Sequence, residues 1–251
     1  MKKILYILYK PYKWFVYLPF LLLSTVILGS IAVILLTLSV NVKIVSVVCG
    51  VLWSRLNSYM TPMLVKVAGR ENVDKKQSYV IVSNHQSHFD VFVLYGWIGI
   101  DFKWVMKQEL RSIPFFGLAC EKLGFIYIDR SNKGAALASL EEAKVKIVGG
   151  TSVVFFPEGT RSTTGELMEF KKGAFRMALD LDIPVLPLTI VGTKDILPNK
   201  TLNLFPGRAK LTIHKPIDIS NYSHDNIEAF IGDVKEVIRG GLEDGAGGEG
   251  K

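Results

Sequence analysis

From Trp14 to Val42 the chain carries no charged residue, and this run constrains the fold more than any other feature. Its 29 residues, as helix, would extend about 43 Å against a hydrocarbon core of roughly 30 Å. Lys43 interrupts it, and apolar character then resumes through Trp53, so Trp14 to Ser54 holds a single charge. The stretch is too long for one span and short for two. No small-residue cleavage site with a polar mature start follows a short apolar core, which argues against a signal peptide. The expectation is a two-helix apolar hairpin over residues 1–60, broken near Gly29-Ser30, that embeds in a membrane. Lysines at 2, 3, 10 and 13 precede it, and Arg55, Lys66 and Arg70 follow, so neither flank dominates in charge.

Residues 61–240 read as one catalytic domain. Apolar strand candidates near 79–83, 103–106, 125–128, 152–156, 185–190 and 209–213 alternate with helical patterns. The helix from about Lys133 to Val148 places Ala136, Leu140, Ala143 and Ile147 on one face. This order predicts an α/β fold, a largely parallel central sheet flanked by helices on both faces. Pro187 cannot donate to a ladder, so its strand is expected at an edge or to bend there. After Gly240 the composition turns to Gly, Asp and Glu, and residues 241–251 read as a disordered tail or an added remnant.

Chemistry is expected where strands run out. Tyr79–Ser83 is followed by Asn84-His85-Gln86-Ser87-His88-Phe89-Asp90. A carboxylate that accepts Nδ1–H from histidine leaves Nε2 free to take a proton. Five positions of helix turn through about 500°, leaving the two side chains some 140° apart, so they cannot pair along one helix. The pair needs His85 in the turn and Asp90 in the first helical turn, with Ser87 as N-cap. Asn84, Ser87 and Asp90 also suit a simple capped turn, and these residues by themselves leave both readings open.

A second exit reads Phe155-Phe156-Pro157-Glu158-Gly159-Thr160-Arg161-Ser162. Arg161 offers a planar fork of donors suited to phosphate, and Gly159 lets backbone come close to a ligand. Glu158 has two uses: accepting from a hydroxyl, or holding Arg161. A third exit, Gly124 to Arg130, supplies another arginine. Ligands of open α/β sheets bind beyond the carboxyl ends of strands, so such loops converge.

Other chemistries fit less well. His85 and His88 are three apart with no Glu or Cys at a spacing that completes a zinc site, so no metal is expected. Cys49 and Cys120 lie among apolar neighbours, and there is no Gly-x-Ser-x-Gly elbow. The net charge of +7 suits an anionic membrane as well as nucleic acid, and the apolar run favours the membrane; no nucleic-acid partner is expected.

Four segments together resemble the glycerolipid acyltransferase family, the lysophosphatidic acid and glycerol-3-phosphate acyltransferases. Asn84, His85 and Asp90 match its first block, Gly124 and Arg130 its second, Phe156 to Ser162 its third, and Pro187 its fourth. The likeness covers roughly residues 66–218. It implies transfer of a fatty acyl group from acyl-CoA or acyl-carrier protein to the sn-2 hydroxyl of lysophosphatidic acid, yielding phosphatidic acid without any cofactor. His85 would be the general base and Asp90 its orienter. Lys107, Arg130, Glu158, Gly159, Thr160 and Arg161 would hold the acceptor. Acylation of glycerol-3-phosphate or another lysolipid is the alternative within the class, and a non-catalytic binder of lipid phosphates the alternative outside it. Because the thioester donors are cytoplasmic, the likeness to bacterial members places the domain on the cytoplasmic face of the inner membrane.

Overall fold

The computed structural model describes residue 7 and residues 9–129, 131–147 and 149–247. The apolar run forms helix α1, Tyr9–Thr37, long and apolar enough to cross a membrane and mostly exposed. It passes Gly29-Ser30 without a break, so the expected hairpin point is corrected. An interior glycine costs a helix only about 1 kcal/mol, too little to end one that is otherwise apolar.

The reversal falls at Leu38–Asn41. Ser39 adopts φ 60°, the Ser39 N–H donates to Leu36 O and the Val40 N–H to Leu35 O, the paired bonds of a left-handed helix cap. Asn41 then starts the return, its side chain accepting the Lys43 amide at 2.9 Å. One helical turn, Val42–Val45, and a π-helical stretch, Ser46–Val51, lead into α2, Leu52–Met60. The polar residues of the two arms bond across the hairpin: Trp53 Nε1 donates to Thr25 Oγ1 at 3.0 Å, Asn57 Nδ2 to Ser24 Oγ at 3.1 Å, and the Tyr12 hydroxyl to Met60 O at 2.6 Å.

Seven strands follow: β1 Met63–Ala68, β2 Val80–Ser83, β3 Phe102–Lys107, β4 Ile126–Ile128, β5 Ser152–Phe155, β6 Val185–Val191 and β7 Gly207–Ile213. Their order is β1-β7-β6-β2-β5-β3-β4. The five strands from β6 to β4 are parallel, β7 runs antiparallel to β6, and β1 pairs parallel with β7. Strand β1 has no counterpart among the sequence-derived candidates, since Met63–Ala68 reads as the hairpin's apolar trailing end until β7 supplies its partner.

The remaining helices are α3 Phe89–Trp97, α4 Phe116–Lys122, α5 Lys133–Lys144, α6 Gly173–Leu181, α7 Thr193–Ile196 and α8 Ile227–Gly247. They cover both faces of the sheet. Ile81 packs into the layer containing Cys49, Phe89 and Phe102, whereas Val80 and Val82 pack into the layer containing Phe175 and Phe230. Strands buried on both faces read as continuous apolar runs, which is why β2 and β5 are legible in the sequence.

Two further expectations are corrected. Of the two alternatives for Pro187, the edge is overturned: its strand β6 is interior, between β2 and β7. Its pairing with β7 shifts by one residue around the proline, from Val185↔Ile217 to Leu188↔Ile213. Pro187 faces His214 at this slip and makes half of the rung, its O accepting the His214 amide at 3.1 Å, so the donor that proline lacks falls where the register changes. Residues 241–247 belong to α8 and are not a disordered tail. A Cβ on Gly241 would lie 2.5 Å from Thr189 Oγ1, and one on Gly245 2.6 Å from Val191 Cγ2. These glycines let the helix close onto β6; residues 248–251 lie outside the described part.

Candidate active site

The turn after β2 is pinned before it does any chemistry. Asn84 acts as an extra rung of the sheet: its Nδ2 donates to Ile190 O and its Oδ1 accepts the Ile190 amide, each at 2.8 Å. The His85 amide donates to Glu158 Oε1 at 2.7 Å, and His85 O accepts the Ser162 amide at 2.8 Å. The loops beyond β2 and β5, 73 residues apart at His85 and Glu158, are thereby stitched together.

Asp90, fully buried in the first turn of α3, collects four donors. Its Oδ2 faces His85 Nδ1 at 2.8 Å, the Gln86 amide at 2.7 Å and the Ser87 amide at 2.8 Å; its Oδ1 accepts from Thr193 Oγ1 at 2.5 Å. An ionised carboxylate only accepts, which assigns the proton of this pair to Nδ1. The helix start adds its own positive end to hold the charge. The His85 ring lies flat against Phe156, centroids 3.8 Å apart and planes 12° from parallel. Its Nε2 has no hydrogen-bond partner among the described residues, and the ring edge opens into a cavity. Ser87 caps one residue earlier than the helix bounds suggest, accepting the Phe89 amide at 3.2 Å and donating to Leu197 O at 2.8 Å.

Glu158 neither pairs with Arg161 nor faces a hydroxyl. Its second oxygen accepts the Met168 amide at 3.0 Å, and burial pushes its carboxyl up against the pull of these two amides. It shapes the loop from within. Gly159, at φ 73°, turns that loop, and a Cβ there would meet Lys171 Nζ at 2.7 Å. Gly159, Thr160 and Arg161 all line the cavity. The Arg161 guanidinium is held below its ordinary range by burial, with Asp90 pulling it up. Asn199 Nδ2 donates to Arg161 O at 2.8 Å and so ties this loop to the segment beyond α7. Lys107 ends β3, exposed, donating to Glu109 at 2.7 Å, and lines the same cavity. Arg130 lies outside the described residues.

Thr193 and Asn199 escaped sequence reasoning. Thr193 stands just past β6, at a further strand exit, and that position was the available clue.

The cavity measures about 890 Å³. His85, His88, Lys107 and Arg161 form its polar end, and its body runs between the hairpin and the α3–α4 layer, among Leu21, Ala32, Trp53, Phe92, Trp104 and Phe125. Cys49 and Cys120 line it as free thiols, Cys120 pushed up by burial to about 12, which removes it as a nucleophile.

Residues 64–191 match the family model for acyltransferases. The mouse 1-acyl-sn-glycerol-3-phosphate acyltransferase alpha is 31% identical over 196 residues, covering 76% of this chain and 69% of the relative. The chloroplastic 1-acyl-sn-glycerol-3-phosphate acyltransferase LPAT1 of Arabidopsis thaliana is 36% identical over 169 residues, 66% of this chain and 47% of its own length. The chain thus spans about half the length of that plant relative and of its Brassica napus counterpart. The crystal structure of the 1-acyl-sn-glycerophosphate (LPA) acyltransferase PlsC from Thermotoga maritima matches with a TM-score of 0.80 and 28% identity over 97% of both chains. The chain therefore belongs to the acyltransferase family.

Proposed function

We propose that the chain transfers a fatty acyl group from a thioester donor, acyl-CoA or acyl-carrier protein, to the sn-2 hydroxyl of 1-acyl-sn-glycerol-3-phosphate, forming phosphatidic acid. The observation that carries this reading is His85 Nε2, unpartnered, facing an apolar cavity whose polar end holds Arg161 and Lys107.

His85 Nε2 accepts the hydroxyl proton as the acceptor oxygen bonds to the thioester carbonyl carbon; Asp90 steadies the imidazolium. The tetrahedral intermediate then expels the thiolate, the C–S bond breaks, and the sulfur takes the proton from Nε2. Arg161, Lys107 and Arg130 hold the acceptor phosphate, while Glu158 keeps the Gly159–Arg161 loop in shape. An oxyanion needs aimed donors. The amides of Gln86 and Ser87 already serve Asp90 and that of His85 serves Glu158; the Thr160–Arg161 segment, which lines the cavity, is the source we assign. The hairpin embeds in one leaflet, so the lipid acceptor enters sideways, with the domain on the cytoplasmic face of a bacterial inner membrane.

The test gives purified protein an acyl thioester with either lysophosphatidic acid or glycerol-3-phosphate and follows thiol release and the lipid formed. Phosphatidic acid is expected from the lysolipid, with His85→Ala slower by about 10²- to 10⁴-fold. Acylation of glycerol-3-phosphate alone would overturn the acceptor assignment, and near-normal turnover by His85→Ala the base assignment. Cysteines placed at the Leu38–Asn41 turn are expected to resist labelling from the outer side; labelling there would sink the one-leaflet topology.

A further inference from the structure

A second cavity, of about 350 Å³, opens at the amino-terminal ends of β3 and β5, at the other end of the sheet from His85. Its lining includes Lys43 and Arg55 from the hairpin arm and Lys75, Asp101 and Gly150 from the domain. Lys43 Nζ reaches across to Gly149 O at 2.9 Å. Arg55 is anchored through Nε to Gly96 O at 2.9 Å and rests over the Trp97 ring, so only one of its donor groups is spent. Lys75 is exposed and has no ion-pair partner among the described residues. Behind them the buried Lys103 ammonium is pushed down by burial, and Lys43 and Lys146 add to that against Asp101.

One carboxylate faces this crowd of cations. Asp101 Oδ2 accepts from Thr151 at 3.0 Å and lies 3.9 Å from Lys103 Nζ, while its Oδ1 is buried without a hydrogen-bond partner. Positive charge is therefore in excess in the cleft lining. Ile44, Val47 and Val48 are exposed on the same arm next to Lys43. Cations and an apolar strip at one place match an amphiphile that carries a phosphate on its head group.

We infer that this cleft binds the head group of an anionic glycerophospholipid that is not the substrate, its phosphate among Lys43, Arg55 and Lys75 and its acyl chains along Ile44–Val48. The Tyr95 hydroxyl, bonded to Ser46 Oγ at 2.9 Å, forms part of the wall between this cleft and the acyl cavity. A lipid here would clamp the hairpin to the domain from the side opposite the active site.

The experiment titrates short-chain phosphatidylglycerol into the full chain held in zwitterionic micelles, with binding followed calorimetrically. Saturable binding is expected, weakened about tenfold or more in Lys43→Ala/Lys75→Ala, which loses two charge-assisted contacts. Lys210→Ala/Lys215→Ala, an equal change in net charge elsewhere, is expected to bind like wild type. If the double variant does not fold, Lys75→Ala, at an exposed position, must still weaken binding. Equal loss in the control pair would reduce the effect to general surface attraction and overturn the site. So would equal binding of phosphatidylcholine, or full displacement by inorganic phosphate at matched concentration, which would make it a site for free anions.

Discussion

Asp90 is the residue on which the site turns, because one buried carboxylate serves an imidazole, two backbone amides and a hydroxyl at once. Its spacing from His85 was readable from the sequence, since helix geometry allowed the two side chains to meet only in a turn-to-helix arrangement. Thr193, 103 positions away, was not, because nothing local marks a serine or threonine as a donor to a distant carboxylate. Thr193→Val removes a short charge-assisted bond of a kind worth about 1.5–3 kcal/mol. Turnover is expected to fall by about ten- to a hundredfold over that range. A purely structural role would lower the melting temperature and leave turnover well below it unchanged. Glu158 shows the converse: its residue type was legible as functional, but only tertiary structure reveals that both its oxygens face backbone amides.

At the scale of elements, composition misplaced glycines in two opposite ways. Gly29 lies inside an unbroken helix, and the turn falls instead where Ser39 takes a left-handed conformation at φ 60°. An L-residue there costs about 1–2 kcal/mol, so Ser39→Gly is expected to raise thermal stability by about 1 kcal/mol, read from denaturation in detergent. No gain would mean that the strain is relieved locally. Gly241 and Gly245 looked like the start of a tail but are contact points for β6. Gly241→Val should cost about 1–3 kcal/mol, because its Cβ has nowhere to go between Thr189 and the His214 ring. A melting temperature equal to wild type would show that α8 is not held this closely. Pro187 belongs in the same account. Its chemistry excluded a regular interior rung, and the structure keeps the strand interior by slipping the register of one neighbour.

Over the whole molecule, the hairpin is part of the site's architecture: its inner face forms one wall of the apolar cavity. Ala32, 2% exposed, lies on that wall. Ala32→Phe is expected to cut turnover of long-chain thioesters or lysolipids by about tenfold, roughly 1.4 kcal/mol, while short chains react within about twofold of wild type. An equal loss at every chain length would show that the cavity does not hold the reacting chain.

By itself the sequence determined the parallel core, the strand exits where the candidate residues gather, the spacing that lets His85 meet Asp90 and the extent of the apolar run. Each of these rests on short-range regularity: periodicity, charge-free length, or the reach of one turn. Only the tertiary structure decided where the hairpin reverses, which strand borders Pro187, how Thr193 and Asn199 join the site, and that the hairpin and domain enclose one cavity. Those depend on pairs of residues 25 to more than 100 positions apart, such as Thr189 with His214 or Asp90 with Thr193, whose partners are set by packing and leave no local pattern.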